Sequence, residues 1–498
     1  MKYILALDQG TTSSRAILFD KQGTIVGSAA HEFPQIYPKS GWVEHDPFEI
    51  LTSQLSCAIE VLGRAQVRPR DVAALGITNQ RETAILWDRE TGKPVYNAIV
   101  WQDTRTEPLC SKLAADGLEE TIRSKTGLLL SPYFSATKVA WILDNVAGAR
   151  ASAEAGKLAF GTVDSWLIWN LTSGKRHITD RTNASRTLLY NVVEDRWDEE
   201  LLKIFNIPAS LLPEVVWSSE QVGEVSTTLG LEDVQIAGIA GDQQSALFGQ
   251  LCVTPGSAKN TYGTGCFLLQ NIGSKFVLSE DRLITTMICS AEKKVEYAFE
   301  GSIFIGGAVV QWLRDNMKMF RTSAEVEALA ASVPDSDGVV FVPAFTGLGA
   351  PYWDAHARGL LIGLQRGTQT GHIARAAIES IAFQVTDVLR IMNAGSKDPF
   401  TELRVDGGAA ANDLLMQFQA DLLGLPVRRP AGLETTALGA AYLAGLASGF
   451  WSGIPELQQH RAQDTLFTPR ADKGQMKKLE ANWREAVERS RNWMRDEQ

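Results

Sequence analysis

The chain has 498 residues, 45% of them hydrophobic and 21% charged, with a formal net charge of −10 and a pI near 5.3. This composition is typical of a globular protein, and the length predicts two or three domains because one hydrophobic core seldom serves so many residues. The acidic balance and the lack of long basic runs argue against nucleic acid or an anionic membrane surface as partners.

Cysteine and histidine usage sets further limits on the class of protein. Five scattered cysteines form no CxxC pair, which predicts reduced thiols in a cytoplasmic protein. Six histidines supply no HxxxH spacing, so we expect no tightly bound transition metal. No apolar run approaches about 20 residues, so no membrane span is expected. The first strand begins so close to Met1 that no signal peptide is expected.

The first predicted elements form a hairpin with a phosphate-binding turn. Apolar runs over Ile4–Leu7 and Ala16–Phe19 predict two antiparallel strands joined by a tight turn. Gly10 lets the backbone approach an anion, and the hydroxyl residues after it offer N–H groups free to face a phosphate. Asp8 at the mouth of the turn is placed to hold a divalent cation through water. No Walker motif occurs in the chain, and an ordinary edge hairpin is the alternative.

Strands and helices then alternate, which predicts an α/β fold. Asp46 and Pro47 indicate an N-cap and first residue of a helix that continues to Gly63. The pattern predicts strands over Val72–Thr78, Ala84–Trp87 and Val234–Ile239, and a helix through Phe248.

A second strand–turn–strand pattern follows about 250 residues after the first, around the turn Thr261–Gly265. Two such openings predict a duplicated architecture with a cleft between its halves. The boundary is expected around Gly249–Pro255, giving domains 1–250 and 251–498.

The later elements include another glycine turn. Gly306 and Gly307 begin a predicted helix, and Arg404–Asn412 is a strand and glycine turn leading into a helix over Asp413–Leu423. Paired glycines there can admit a flat or anionic ligand, although a plain strand-to-helix turn is the alternative. A charged amphipathic helix is predicted over Lys473–Gln498.

Together, six motifs resemble the FGGY carbohydrate kinases of the actin-like ATPase superfamily. They are DQGTTSSR at 8–15, the segment 133–145, GDQQ at 241–244, TYGTG at 261–265, the segments 359–364 and 372–379, and VDGG…N at 405–412. The resemblance covers nearly the whole chain. It implies an α/β fold of two ribonuclease H-like domains flanking a catalytic cleft, ATP and Mg²⁺ as cofactors, and a homodimer or homotetramer.

Two segments, TNQRET at 78–83 and VWQDTRT at 100–106, resemble the substrate segments of family members that phosphorylate glycerol. This implies ATP-dependent phosphorylation of glycerol to sn-glycerol 3-phosphate, the entry step of glycerol catabolism. Such a site needs hydrogen-bonding groups for the hydroxyls and aromatic surfaces for the C–H edge. The resemblance places five residues at substrate positions: Arg81, Glu82, Trp101, Tyr133 and Phe267. Asp242 and Gln243, between a predicted strand and helix, are also expected to contact the polyol. The alternatives are core aromatics and a surface ion pair of Arg81 with Glu82.

Asp242 follows a predicted buried strand and can accept the proton of an attacking hydroxyl, as a general base in phosphoryl transfer does. A role as N-cap of the next helix is also compatible. We expect Mg²⁺ near Asp8. The residues expected to bind the nucleotide, from the two hairpins and by resemblance, are Thr11, Thr12, Ser13, Arg15, Thr264, Gly307, Gln311, Gly408 and Asn412.

Two rival functions stay open: a kinase of a related polyol or sugar, and an actin- or chaperone-like ATPase. The substrate residues and the absence of an appended peptide-binding domain argue against the second. Some family members carry a Gly- and Arg-rich loop that binds fructose 1,6-bisphosphate. The corresponding Ser226–Asp233 lacks arginine, so we expect no such inhibitor site.

Overall fold

The computed structural model describes residues 2–226, 230–231, 233–461 and 463–494. The elements of the first half, in chain order, are β1 (Tyr3–Gln9), β2 (Ser13–Phe19), β3 (Ile25–Glu32), β4 (Glu44–His45), α1 (Pro47–Ala65), β5 (Val72–Asn79), β6 (Ile85–Asp88), β7 (Ala98–Ile99), α2 (Glu107–Ala115), α3 (Glu119–Thr126), α4 (Ser135–Asn145), α5 (Ala149–Glu154), β8 (Leu158–Gly161), α6 (Val163–Leu171), β9 (Ile178–Asp180), α7 (Arg181–Ala184), β10 (Tyr190–Asn191), β11 (Arg196–Trp197), α8 (Glu199–Ile204), β12 (Glu214–Val216), β13 (Ser219–Glu224), β14 (Gln235–Gly241) and α9 (Asp242–Gly249).

The elements of the second half are β15 (Ala258–Tyr262), β16 (Cys266–Gly273), β17 (Ile284–Met287), β18 (Tyr297–Ile303), α10 (Ala308–Asp315), α11 (Glu325–Ala331), β19 (Val340–Val342), β20 (Leu360–Ile362), α12 (Thr370–Gly395), β21 (Leu403–Asp406), α13 (Asp413–Leu423), β22 (Val427–Arg429), α14 (Thr435–Ala447), α15 (Ile454–Gln459), β23 (Thr465–Phe467) and α16 (Lys473–Ser490).

The two main sheets repeat one strand pattern. The first has the order β13-β14-β5-β1-β2-β3, and the second has the order β17-β18-β16-β15-β21-β22-β23. In each sheet a hairpin, β1–β2 or β15–β16, continues antiparallel into a third strand, while its first strand pairs in parallel with β5 or β21. A further parallel strand, β14 or β22, follows on that side. The shared order confirms the predicted duplicated α/β fold.

Strands β1 and β5 read as continuous apolar runs because helices cover the sheet. Ile4–Leu7 of β1 is at most 1% exposed, as expected for a strand buried on both faces. Helix α1 begins as predicted, with the Asp46 side chain accepting from the Phe48 N–H at 2.8 Å and Pro47 as the first helical residue. It continues to Ala65, two residues beyond the predicted end.

Helices α9 and α14 join the two halves through close backbone contact. A Cβ atom on Gly439 would lie 1.9 Å from the Ser245 carbonyl oxygen, and one on Gly249 would lie 2.1 Å from that of Thr435. Larger side chains at these glycines would force the helices apart. This contact fixes α9, whose first residue is Asp242, relative to the second half.

Most predicted elements are confirmed, with shifts at the ends. Strand β6 begins at Ile85, one residue late, and α10 begins at Ala308 with Gly307 as its N-cap. Helix α13 matches the predicted range, and α16 ends at Ser490, well before the predicted end; residues 495–498 lie outside the described residues. In the segment compared with the inhibitor loop, residues 227–229 and 232 also lie outside them.

Among the described residues, no helix combines the length and apolar character needed to cross a membrane.

Candidate active site

The turn between β1 and β2 has Asp8 and Arg15 at its base, paired across the antiparallel ladder. The Gly10 N–H donates to the Ser13 carbonyl at 3.0 Å. This bond closes the turn and uses none of the N–H groups predicted to face a phosphate, which belong to the hydroxyl residues after Gly10. The three hydroxyl residues predicted to face the phosphates lie at half-buried or exposed positions: Thr11, Thr12 and Ser13.

Asp8 lies in a region of surplus negative charge. Burial raises the pKa of the Asp8 carboxyl to about 7; the Arg15 guanidinium opposes this shift, and the Glu434 and Asp242 carboxylates add to it. Arg15 also forms an ion pair with Glu434, which precedes α14 in the second half. The sequence did not predict this pair. Asp242 is thus close enough for its charge to raise the pKa of Asp8.

A cavity of about 490 Å³ lies beside the second hairpin, within the range of small-molecule sites. Five residues predicted to bind the nucleotide line it together: Thr264, Gly307, Gln311, Gly408 and Asn412. Apolar side chains, including Ile378 and Ile381 of α12, form part of its wall. The structure therefore brings together predicted residues from three separate motifs.

Glycine is required where two turns approach each other at this cavity. Gly407 has φ +85°, and a Cβ atom there would lie 2.6 Å from the Tyr262 carbonyl oxygen. A Cβ on Gly307 would lie 2.8 Å from the Gly263 carbonyl oxygen. A Cβ on Gly408, in contrast, would meet no protein atom within 4 Å. The glycine turn is therefore a close-approach turn as well as a connection between strand and helix.

Two aromatic rings form a wall between the first hairpin and α4. Trp101 and Tyr133 are both half-buried, with ring centroids 5.5 Å apart at an interplanar angle of 88°. The Trp101 indole Nε1–H donates to Thr11 Oγ1 at 2.9 Å. Trp101 is therefore not a closed core residue, since its indole contacts the turn predicted to bind phosphate.

Arg81 and Asp242 are in contact, with Arg81 Nε 3.1 Å from Asp242 Oδ1. The alternative of a surface ion pair is wrong, because Arg81 is 3% exposed and Glu82 is 1% exposed. Asp242 is the first residue of α9, and the N-cap is Gly241, so the predicted N-cap role is wrong by one position. Burial raises the pKa of the Asp242 carboxyl; the Arg81 guanidinium and a hydrogen bond from the Gln243 N–H at 2.7 Å oppose this shift.

Two charged residues that were not predicted from the sequence, Glu300 and Arg186, bind Arg81 and Glu82. Glu300 accepts two hydrogen bonds from Arg81, at 2.6 and 3.0 Å, and Arg186 Nη2 donates to it at 3.0 Å. Arg186 also donates from Nε to Glu82 Oε1 at 2.6 Å. Burial would raise the pKa of Glu300, yet Arg186 and Arg81 hold it at about 2. The sequence does contain a signal for Glu300, because it is the one charged residue of the buried strand β18. No comparable sequence pattern points to Arg186.

Gln243 and Phe267 both lie near Lys259, a buried lysine from the second half. Lys259 Nζ donates to Gln243 Oε1 at 2.5 Å and to Thr261 Oγ1 at 2.7 Å. Phe267 is half-buried and pairs with Thr261 across β15 and β16, which places both side chains on one face of the sheet. Lys259 and Thr261 of the second half therefore link Gln243 of α9 to the face of the sheet that carries Phe267.

Within the described residues there is no group of three or more His, Cys, Asp or Glu side chains that could hold a metal ion. Asp8, the residue predicted to lie near the ion, is an oxygen donor whose raised pKa a cation would lower. A single carboxylate of this kind fits Mg²⁺, which keeps most of its waters and binds through one or two carboxylates and phosphate oxygens.

Comparison with known proteins gives one answer across the chain. The N-terminal domain of the FGGY family of carbohydrate kinases matches residues 3–249, and the C-terminal domain of that family matches residues 258–448. Two similar proteins are the glycerol kinases of Trichlorobacter lovleyi and Symbiobacterium thermophilum. They are 59% and 60% identical to this chain, over 99% of this chain and of each relative.

Among solved structures, the glycerol kinase of Plasmodium falciparum with ADP has a TM-score of 0.92 at 39% identity, covering 98% of both chains. A ligand-bound xylulose kinase of Lactobacillus acidophilus, at 24% identity and a TM-score of 0.86 over 98% of this chain and 97% of its own, shares the fold. The chain belongs to the FGGY family of carbohydrate kinases.

Proposed function

We propose that the protein is an ATP-dependent kinase that phosphorylates glycerol at a primary hydroxyl and yields sn-glycerol 3-phosphate and ADP. The observation that carries this is the group of Arg81, Glu82 and Asp242 beside Tyr133. The ring of Tyr133 packs in turn against Trp101. A three-carbon polyol needs charged and polar partners for its hydroxyls and aromatic surface for its C–H edge. Full-length relatives named glycerol kinase at 59–60% identity support the choice of substrate.

The substrate site combines polar groups that bind the polyol hydroxyls with aromatic rings that contact its C–H groups. Arg81 donates to polyol oxygens, and Glu82 and Asp242 accept from polyol hydroxyls. Gln243, held by Lys259, supplies a further amide contact. The aromatic walls of this small site are Trp101, Tyr133 and Phe267.

Asp242 acts as the general base. Its carboxylate is about a third exposed and so accessible from the cleft. The polyol oxygen attacks the γ-phosphorus of ATP, the bond from that phosphorus to the ADP oxygen breaks, and the hydroxyl proton passes to Asp242. In-line placement and charge stabilisation supply most of the rate in such transfers.

The nucleotide lies between the two hairpins. Thr11, Thr12, Ser13 and Arg15 face the phosphates from the first turn, and Thr264 faces them from the second. The rest of the nucleotide occupies the 490 Å³ cavity, against Gly307, Gln311, Gly408 and Asn412. The structural neighbour solved with ADP supports nucleotide binding by this fold.

Asp8 would hold Mg²⁺, chiefly through water. The bound ion supplies positive charge that offsets the charge of the β- and γ-phosphate oxygens. Asp8 follows the buried run of β1, so its carboxylate is fixed at the base of the phosphate turn.

We further propose that residues 1–250 and 251–498 are the two domains and that the cleft between them closes on substrates. Five free, buried cysteines are consistent with work in the reducing cytoplasm. By resemblance the protein assembles as a homodimer or homotetramer.

A panel of polyols and sugars in an assay that couples ADP release to a colour change tests the substrate. Glycerol should give by far the highest kcat/KM, with erythritol and ketopentoses slow. Comparable rates on a ketopentose would favour a sugar kinase, and ADP release that ignores all polyols would favour an ATPase.

A further inference from the structure

Four buried charges beside Asp242 balance one another. Arg81 and Arg186 both donate to Glu300, and Arg186 also donates to Glu82. All four side chains are at most 2% exposed. Two guanidinium groups and two carboxylates sum to zero charge, so the cluster offers no net positive charge to Asp242.

Glu300 determines which edge of Arg81 faces Asp242. The Nη1 and Nη2 atoms of Arg81 lie 2.6 and 3.0 Å from the two oxygens of Glu300. That fork is the edge that pairs with a carboxylate through two parallel hydrogen bonds. Asp242 is left with the Nε atom alone, at 3.1 Å. Since Glu300 belongs to β18, the second half of the chain sets the orientation of a side chain from the first half.

We propose that Glu300 is a positioning residue that withholds the fork of Arg81 from Asp242, keeping Asp242 basic and open to the attacking hydroxyl. The proposal rests on the proposed function, in which Asp242 accepts the proton. Without the Glu300 charge, the fork turns to the nearest remaining carboxylate, Asp242. A two-bond pair there lowers the basicity of that carboxylate and covers the oxygens that the hydroxyl must reach.

The charges around Asp242 come from four elements. They are Asp8 at the end of β1, Arg81 after β5, Lys259 in β15 and Glu300 in β18. Of these, only Glu300 changes in the variants described below. Loss of the Glu300 charge should lower the pKa of Asp242 for two reasons. It removes a negative charge that raises the pKa of Asp242, and it frees Arg81, which lowers that pKa.

The test replaces Glu300 in the full-length protein and follows kcat/KM for glycerol against pH, which reports the ionisation of the free enzyme. E300Q should lower kcat/KM by about 10- to 100-fold, part of what a general base supplies, and should move the acidic limb to lower pH. E300D keeps the charge on a side chain that is shorter by one methylene group. Its kcat/KM and the position of its acidic limb should both lie between those of E300Q and the wild type. A wild-type kcat/KM in E300Q, or a lowered one with an unmoved limb, overturns the proposal.

Glu379 provides a matched control. It is 4% exposed and accepts from Arg375 Nε at 2.8 Å, within α12. E379Q should keep the wild-type acidic limb even if the protein loses stability. If E300Q does not fold, E300D alone decides, and an unmoved limb in that variant contradicts the proposal.

The wild-type control separates this inference from the proposed function. Wild-type enzyme that does not phosphorylate glycerol defeats the proposed function. Wild-type enzyme that does so, beside an unmoved limb in the Glu300 variants, defeats only the inference about Glu300.

Discussion

The Trp101 indole N–H donates to Thr11 Oγ1 at 2.9 Å, and this bond joins the aromatic wall of the polyol site to the phosphate turn. The two residues are 90 positions apart in the chain. A hydrogen bond between neutral groups contributes about 0.5–1.5 kcal/mol, enough to bias the position of a flexible turn. The position of the polyol hydroxyl that receives the phosphoryl group is therefore coupled to the position of the phosphate turn.

Replacing either partner should weaken catalysis by a similar factor. Trp101→Phe keeps an aromatic wall and Thr11→Val keeps the shape of the side chain, yet each removes the bond. We expect kcat/KM to fall by about 2- to 10-fold in each, the equivalent of one such hydrogen bond. The double variant should lose little more than either single variant, whereas fully additive losses would show that the bond couples nothing.

Asp242→Asn should abolish turnover and leave nucleotide affinity largely unchanged. The amide has nearly the shape of the carboxylate but cannot accept the hydroxyl proton. Steady-state rates and nucleotide titration by calorimetry measure the two effects. Asp116→Asn, at an exposed position after α2, should keep the wild-type rate. An Asp242→Asn rate above a few per cent of wild type would remove Asp242 from the role of base.

Asp8→Asn should stabilise the nucleotide-free protein at alkaline pH and impair activity. The pKa of Asp8 is raised from 3.8 to about 7, chiefly by burial, so its protonated form favours folding. That contribution is complete below about pH 4 and is lost as the pH rises through about 7. The variant should therefore unfold at a higher temperature than wild type at pH 8 and by a smaller margin at pH 5.

The Asp8→Asn variant should also need more Mg²⁺ for half-maximal rate. Asp164→Asn is the control, because burial raises the pKa of Asp164 to about 7 as well, beside Asp180 and two threonines. It should leave the Mg²⁺ dependence unchanged. Lower stability of Asp8→Asn at pH 8, or a wild-type Mg²⁺ dependence, would contradict the role given to Asp8.

The sequence predicted those parts of the site that are encoded by local pattern. The two hairpins, the helix over Asp413–Leu423 and the glycine turn before it follow from turn residues and periodicity, and the structure has them all. Arg186 and Lys259 could not be predicted in this way, since their partners, Glu82 and Glu300 for the first and Gln243 for the second, lie in other parts of the fold. Which edge of Arg81 faces Asp242 depends on tertiary packing, which no spacing of residues encodes.

Gly408→Leu should weaken ATP binding without lowering the stability of the fold. A side chain there meets no protein atom near its Cβ and would occupy part of the cavity assigned to the nucleotide. We expect KM for ATP to rise about tenfold or more, as when roughly 1.4 kcal/mol of binding is lost. Gly367→Leu is the control, because its Cβ is equally unobstructed and lies outside this cavity. Unchanged KM for ATP in Gly408→Leu would move the nucleotide elsewhere.

The most direct test of the central claim is to measure ADP and phosphorylated product together, with Mg²⁺-ATP supplied and glycerol present or absent. Asp242 as base and a polyol as acceptor predict ADP release that depends on glycerol, with one sn-glycerol 3-phosphate formed for each ADP. ADP released at the same rate without glycerol, or with no phosphorylated glycerol to match it, would contradict the account.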